Sequence, residues 1–142
     1  MKKLVMLVTM VLTLALSSMC FAAGDGSDLN RQQRIADKFA AVLSASDASG
    51  LAQVTGDLAP AMAQKITAEN MLALQKEMRE KLGRQKESKF AAYERFDQGD
   101  RITYLASYSK EKLVRVIYTF DKENKLVEFL FVPVQMQEEV KK

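Results

Sequence analysis

The chain has 142 residues, of which 48% are hydrophobic, and it carries a formal net charge of +3 with no histidine and one cysteine. This length suits one domain and not two. Without histidine, and without a cysteine in the mature chain, zinc sites of the usual kind are excluded, as are Ser-His and Cys-His nucleophile pairs. Basic and acidic residues are mixed along the chain and form no basic stripe, so nucleic acid is not expected as a partner.

Phosphate-binding and metal-binding motifs are also missing from the sequence. The six glycines are scattered singly, so no glycine-rich phosphate loop is present. Asp25 and Asp28 flank a Gly-Ser pair but lack the remaining ligands of a calcium loop. We therefore predict no cofactor, no metal site and no catalytic motif.

The first 22 residues have the order of an export signal. Two lysines precede an apolar run over residues 4–16, and small residues follow before Ala22. The run is shorter than the roughly 20 residues that a membrane-spanning helix needs. We predict cleavage after Ala22 and an exported protein, periplasmic or secreted, that contacts the membrane only through this segment before cleavage. The alternatives are an uncleaved anchor and a lipoprotein acylated at Cys20.

Cleavage at this point would leave one domain over residues 23–134 and a polar tail over residues 135–142. The leader contains two lysines and no acidic residue, so 19 of the 21 basic residues would remain against 18 acidic ones, and the net charge would fall to +1. The mature domain would contain no cysteine. Its stability must then come from its hydrophobic core alone, without disulfides.

Helical periodicity marks the first half of the mature chain. Asp28 is predicted to cap a first helix, whose apolar residues share one face: Ile35, Ala36, Phe39, Ala40, Val42 and Leu43. Short helical pieces are expected over residues 51–54 and 58–66. Thr67 is predicted to cap a longer helix over residues 68–82, and Gly83 to end it with a positive φ.

After Gly83 apolar and polar residues alternate. Four strands are predicted, over residues 88–96, 101–108, 113–120 and 126–132. Their short loops indicate an antiparallel meander, with Asn124 in a left-handed turn position and Pro133 at the end of the last strand. Helices followed by strands are typical of the α+β class, so we expect the N-terminal helices to cover one face of the sheet.

Two stretches, Gly83 to Phe90 and Val114 to Pro133, resemble the closing half of the nuclear-transport-factor-2-like superfamily. More narrowly, the chain resembles the bacterial exported family called domain of unknown function 3887. That family has a Phe-Asp pair, a polar turn, an aliphatic residue and a late aromatic-x-Pro, matched here by Phe120-Asp121, residues 122–125, Leu126 and Phe131-Val132-Pro133. The resemblance implies a cone-like or cystatin-like roll, with helices packed on the concave face of a curved four-stranded antiparallel sheet. The family has no agreed reaction, so it implies no activity.

The concave face is the predicted site. Pairing residue 96 with 102, 108 with 114 and 120 with 127 would place Glu94 across from Tyr104, and Tyr104 across from Tyr118. A carboxylate beside two phenols on an apolar wall is typical of a small-ligand pocket, and burial makes a carboxylate more basic. The predicted pocket residues are Phe90, Glu94, Tyr104, Tyr118 and Phe129.

This register is not the only one that the sequence allows. The loop over residues 97–100 is not of the Asn-Gly type that pins a hairpin, and a slip by one residue would replace Glu94 on the face by Tyr93 and Arg95. Two functions therefore stay open. One is an exported non-catalytic module that binds a small apolar ligand or a protein partner. The other is an isomerase-type or cyclase-type enzyme, of the kind seen on related cone folds, with Glu94 as base and Tyr104 or Tyr118 as proton donor.

The opposite face of the sheet also carries apolar residues, which are predicted to be Ile117, Leu126, Leu130 and Val132. An apolar patch on an open sheet face commonly marks an interface. The resemblance to cone-fold proteins, which often dimerise through this surface, implies the same here. We therefore predict a homodimer that uses Ile117, Leu130 and Val132.

Overall fold

The computed structural model describes residues 26–135, which fold as helices followed by strands. The helices are α1 (Ser27–Ser44), α2 (Leu51–Thr55), α3 (Pro60–Lys65) and α4 (Ala68–Lys81). The strands are β1 (Gln85–Phe96), β2 (Gly99–Tyr108), β3 (Val114–Asp121) and β4 (Leu126–Pro133). The predicted α+β class is confirmed. The predicted export signal and all but the first residue of the predicted tail lie outside the described residues.

The four strands form one open, curved antiparallel sheet in the order β1-β2-β3-β4, consistent with a cone-like roll. The predicted meander is therefore confirmed. The segment before α3 adds to the outer edge of β4. There the Ala59 N–H donates to the Leu126 carbonyl at 2.9 Å, and the Leu126 N–H donates to the Asp57 carbonyl at 2.8 Å. These bonds satisfy part of an edge that would otherwise expose unpaired backbone groups.

Helix α1 packs its apolar face on the concave side of the sheet. Phe39 is fully buried, with its ring centroid 4.8 Å from that of Phe129 and 6.4 Å from that of Tyr118. Burying a side chain of this size contributes roughly 1.5–3 kcal/mol. The buried residues of α1 are Gln32, Ile35, Ala36, Phe39, Val42 and Leu43. The amphipathic helix α1 thus covers the concave face of the sheet, as predicted.

The predicted ends of the elements are mostly confirmed. Thr67 caps α4, because its hydroxyl accepts from the Asn70 N–H at 3.2 Å. Gly83 has a φ of +80°, and Asn124 has a φ of +62°. The prediction that Asp28 caps α1 is wrong, since the helix begins at Ser27 and Asp28 lies in its first turn. There the carboxylate is held by side chains of the sheet.

The register between β1 and β2 differs from the predicted one. Phe96 pairs with Gly99 and Tyr93 pairs with Ile102, so the strands have moved by three residues relative to the expected pairing of 96 with 102. An odd shift turns each side chain of β1 near the hairpin to the other face. Gly99 permits the tight loop, because its φ is +155° and a Cβ atom there would overlap the Phe120 carbonyl.

The other two registers keep their predicted faces. Tyr104 pairs with Val116, two residues from its predicted partner, and an even shift leaves the face unchanged. Tyr118 pairs with Phe129, as the predicted register requires.

Three irregularities interrupt the pairing: the first lies between Gln85 and Glu87, and the other two change the face that a residue takes. One, in β4, lets Phe120 pair with Leu126, so Leu126 is fully buried and its predicted place on the outer face is wrong. The other lies between Phe90 and Ala92 and returns Phe90 to the concave face, where it pairs with Tyr104.

Candidate functional site

A cavity of about 210 Å³ lies between α1 and the concave face of the sheet. Helix α1 presents Ala36 and Ala40 to it, one turn apart, and these small side chains leave the space open. The described residues that line the cavity are Ala36, Asp37, Ala40, Gln85, Ser88, Tyr104, Tyr108, Val116, Tyr118 and Phe131. Apolar walls with a few polar groups are what a small-ligand site needs.

Of the five predicted pocket residues, Tyr104 and Tyr118 line this cavity. Their ring centroids are 6.0 Å apart, in an edge-to-face arrangement. Phe90 packs against Tyr104 with a centroid distance of 6.0 Å but remains 46% exposed at the margin. Phe129 packs on Phe39, so it belongs to the core beside the cavity and does not line it.

The predicted place of Glu94 in the pocket is wrong. Glu94 pairs with Arg101 across the hairpin, and its carboxylate lies 3.6 Å from the Arg101 guanidinium. The cause is the odd register shift, which turns Glu94 to the outer face and brings Tyr93 and Arg95 inward. That exchange is the one expected for a slip at residues 97–100.

The carboxylate that does lie beside the phenols is Asp37 of α1. The sequence interpretation missed it, because it treated the buried face of α1 as purely apolar. Asp37 adjoins that face at the edge next to Ala36. No sequence signal separates Asp37 from an ordinary surface charge, since Arg34 stands three positions before it on the same helix.

Burial and charge set the protonation states in the cavity. Asp37 lies at the rim and is exposed to solvent, yet partial burial of its carboxylate raises its pKa. Burial, supported by the charge of Asp37, raises the pKa of Tyr104 to about 12, while a hydrogen bond from Gln33 acts in the opposite direction. Burial is also the main cause that raises the pKa of Tyr108 and of Tyr118. All three phenols therefore keep their protons at neutral pH and act as hydrogen-bond donors.

A cluster of polar side chains, here called the polar clamp, joins the start of α1 to the β1–β2 hairpin and to the turn between β3 and β4. Its members are Asp28, Gln32, Tyr93, Arg95, Asp100 and Asn124. Asp100 is its centre. Its carboxylate accepts from Gln32 Nε2 at 2.8 Å, from the Tyr93 hydroxyl at 2.9 Å and from Arg95 Nε at 3.2 Å. Asp100 is only 7% exposed and Gln32 is fully buried.

The remaining bonds of the polar clamp reach the turn between β3 and β4. Arg95 Nη2 donates to Asp28 at 2.9 Å, and Asn124 Nδ2 donates to the same carboxylate at 3.1 Å. Gln32 Nε2 also donates to Asn124 Oδ1 at 2.7 Å. These bonds hold α1 on the sheet, although Gln32 Oε1 is buried without a hydrogen-bond partner among the described residues.

The family described as Protein of unknown function (DUF3887) matches residues 36–129 of the chain. The chain belongs to this family. Comparisons with curated proteins and with solved structures give no match. The matched segment runs from the middle of α1 into β4 and includes Asp37 and all three cavity tyrosines, whereas Asp28 and Gln32 of the polar clamp precede it.

Among residues 26–135, no group of three or more acidic or cysteine side chains could hold a metal ion. None of the helices described there is long and apolar enough to cross a membrane. Pockets of about 510 and 540 Å³ with charged linings also lie among the described residues, so the cavity under α1 is distinguished by its tyrosines and not by its size.

Proposed function

We propose that the protein is an exported, non-catalytic binding module that holds a small ligand in the cavity between α1 and the sheet. One observation carries this proposal: a cavity of about 210 Å³ is walled by three tyrosines and by apolar side chains, with one carboxylate at its edge. Binding sites for small molecules are concave and mostly apolar, with a small number of placed polar groups. The cavity is smaller than most drug-sized sites, which favours a compact ligand.

Binding without conversion fits the positions of the titratable groups. Glu94, the candidate base of the enzyme alternative, is on the outer face beside Arg101. The raised pKa values of Tyr104, Tyr108 and Tyr118 keep these phenols protonated. A phenol of this kind orients a ligand by donating a hydrogen bond, but it is a poor proton acceptor at neutral pH.

Cavity filling tests the proposal. Ala40→Leu on α1 would occupy the space, and Ala41→Leu is the matched control because Ala41 is exposed on the same helix. Protein produced in its native host would be examined by native mass spectrometry. We expect a small molecule to co-purify with the wild type and with Ala41→Leu, and to be lost from Ala40→Leu. Binding that survives in Ala40→Leu would place the ligand elsewhere.

The wider relationship of the fold is also part of the proposal. We propose that the roll belongs to the nuclear-transport-factor-2-like superfamily. Support comes from the four-stranded meander and from the packing of α1 into its hollow. An experimental structure whose helices left the concave face uncovered would contradict this relationship.

Export rests on the order of charged, apolar and small residues before Ala23. We propose cleavage after Ala22. Intact-mass measurement and N-terminal sequencing of the protein from its host should show a chain that begins at Ala23. A chain that retains Met1, or one that carries lipid on Cys20, would contradict this cleavage.

Pairing of two copies through the outer sheet face is the proposed oligomeric state. Leu130 and Val132 of β4 are 45% and 37% exposed there, and Ile117 lies opposite Leu130 on β3. The same face carries both Arg101 and Glu94, so a two-fold axis can bring opposite charges together. This balance of charge supports a second copy as the partner.

Sedimentation velocity tests the dimer. We expect the wild type to dimerise at high concentration and Leu130→Asp to remain monomeric. Leu72→Asp on α4 is the control, because Leu72 is equally exposed, at 46%, but lies away from the sheet. A wild type that stays monomeric, or a Leu72→Asp variant that behaves like Leu130→Asp, would contradict the proposed face.

A further inference from the structure

The described side chains that line the cavity include one acidic residue and no basic residue. Of the described residues that line it, Asp37 alone carries a charge. Among residues 26–135 no Lys or Arg forms an ion pair with Asp37, although Lys38, the next residue, is paired with Asp57 at 2.6 Å. Arg31, Arg34 and Lys38 line a neighbouring pocket together with Asp37, but none of them lies within ion-pair distance of its carboxylate, which is exposed at the rim.

The remaining walls favour a cation over an anion or a neutral molecule. Four of the ten lining side chains are aromatic, namely Tyr104, Tyr108, Tyr118 and Phe131, and aromatic rings attract organic cations. No basic side chain is present there to receive an anion. A neutral ligand would leave the charge of Asp37 unpaired at the rim of the cavity, whereas a cation would pair with it.

We propose that the ligand of this cavity is a small organic cation, with an ammonium group at Asp37 and an apolar body against the tyrosines. This inference rests on the proposed function and narrows it to one chemical class. The ammonium group forms a charge-assisted hydrogen bond with the carboxylate. The apolar body contacts Ala36, Ala40 and Val116, and the phenols accept or donate to any polar substituent.

Three probes of one size test the charge preference: benzylammonium, benzyl alcohol and benzoate. Each would be titrated into isotope-labelled mature protein at low salt, and the shifts of the amide signals of α1 and β2 would be followed by NMR. We expect benzylammonium to bind about tenfold more tightly than benzyl alcohol, and benzoate to bind more weakly than either.

Variants locate the source of the preference. Asp37→Asn keeps the size of the side chain, and we expect it to bind benzylammonium and benzyl alcohol equally. Asp97→Asn removes the same charge from the exposed turn between β1 and β2, and we expect it to keep the tenfold preference. Ala40→Leu should abolish binding of all three probes.

The outcomes separate this inference from the proposed function. Equal binding of benzylammonium and benzyl alcohol by the wild type, lost in Ala40→Leu, would overturn the cationic ligand while leaving the binding cavity in place. An Asp37→Asn variant that retains the preference would also overturn it. If no probe shifted the α1 and β2 signals at millimolar concentration, the cationic ligand would be overturned, and loss of the co-purifying molecule in Ala40→Leu would still decide the proposed function.

Discussion

The polar clamp and the cavity lie on the same face of the sheet and under the same helix, yet the pKa values of their α1 carboxylates shift in opposite directions. Asp28 in the polar clamp accepts hydrogen bonds from Asn124 and Arg95, and these lower its pKa. Asp37, nine residues further along α1, has no such partner among residues 26–135, and partial burial raises its pKa. The paired carboxylate holds the fold together, and the unpaired one is available to a ligand.

The same contrast appears in the tyrosines. The Tyr93 hydroxyl donates to Asp100 at 2.9 Å and accepts from Arg95 at the same distance, so its place is determined by the protein. Tyr104 and Tyr118 pack edge to face and line the cavity, and Tyr104 also has a hydrogen bond from Gln33. Four changes would break or sharpen this comparison, from the largest expected effect to the smallest.

The largest effect is expected at Gly99, which adjoins the centre of the polar clamp. Gly99→Ala would place a Cβ atom against the Phe120 carbonyl and force a positive φ on alanine. We expect the free energy of unfolding to fall by about 3 kcal/mol. The control is Gly56→Ala, where nothing lies within 4 Å of the added atom and φ is −67°. Urea denaturation in which both variants matched the wild type would show that β1 and β2 do not depend on this close approach.

The next effect tests the pairing within the polar clamp. Arg95→Ala would leave Asp100, which is 7% exposed, without its cation. We expect a loss of about 2–3 kcal/mol in the free energy of unfolding, because an unpaired buried charge is unfavourable. Arg101→Ala removes the partly exposed pair with Glu94 and should cost less than about 1 kcal/mol. If both variants lost the same free energy of unfolding, the ion pair in the polar clamp would be no more stabilising than the partly exposed pair of Arg101 and Glu94.

The two α1 carboxylates should respond to pH in opposite directions. The pKa of Asp28 is lowered from 3.8 on folding, so its contribution to stability is present above that value and is lost as pH falls through the folded pKa. The pKa of Asp37 is raised from 3.8, so its ionisation opposes folding as pH rises through the range between the unfolded and folded values.

Replacing each carboxylate by its amide measures these opposite signs. At neutral pH and without ligand, we expect Asp28→Asn to be less stable than the wild type and Asp37→Asn to be slightly more stable. Both differences should shrink in acid, where the carboxyl groups are protonated in folded and unfolded chains alike. Thermal unfolding as a function of pH would check this. A destabilised Asp37→Asn variant would mean that Asp37 has a structural partner.

The smallest effect concerns the phenols. The charge of Asp37 is the second cause that raises the pKa of Tyr104 to about 12, after burial. Asp37→Asn should therefore lower the pKa of Tyr104 while leaving it above the ordinary value of 10.0. Tyr108 is the internal control, since burial is the cause that raises its pKa. NMR titration of the tyrosine ring carbons would contradict the geometry if Tyr108 moved and Tyr104 did not.

The elements and their ends could be read from local sequence. Thr67, Gly83 and Asn124 take the cap and turn positions predicted for them, because a cap or a positive φ depends on the residue type and its nearest neighbours. The hydrophobic periods of α1 and of the four strands likewise predicted which segments would be helical and which extended. Residue alternation placed Tyr104 and Tyr118 on one face, and the structure brings them together.

The candidate site was predicted only in part, because the face on which Glu94 lies depends on the register between β1 and β2. Alternation shows which side chains of β1 share a face but not which side of the sheet that face lies on. Gln32 reaches Asp100 across 68 positions of sequence, and Arg95 joins both Asp100 and Asp28. These distant contacts, with the close approach at Gly99, select the register that turns Glu94 outward.

The amino-acid sequence alone determined the fold class, the order of helices and strands, and the turn residues of this protein. Each of these follows from the hydrophobic periodicity or from the local conformational preference of a residue. Only the tertiary structure decided that the carboxylate beside the phenols is Asp37 from the helix and not Glu94 from the strand. The reason is physical: the face that a strand presents changes with a shift of one residue, and contacts far apart in the chain select among such shifts.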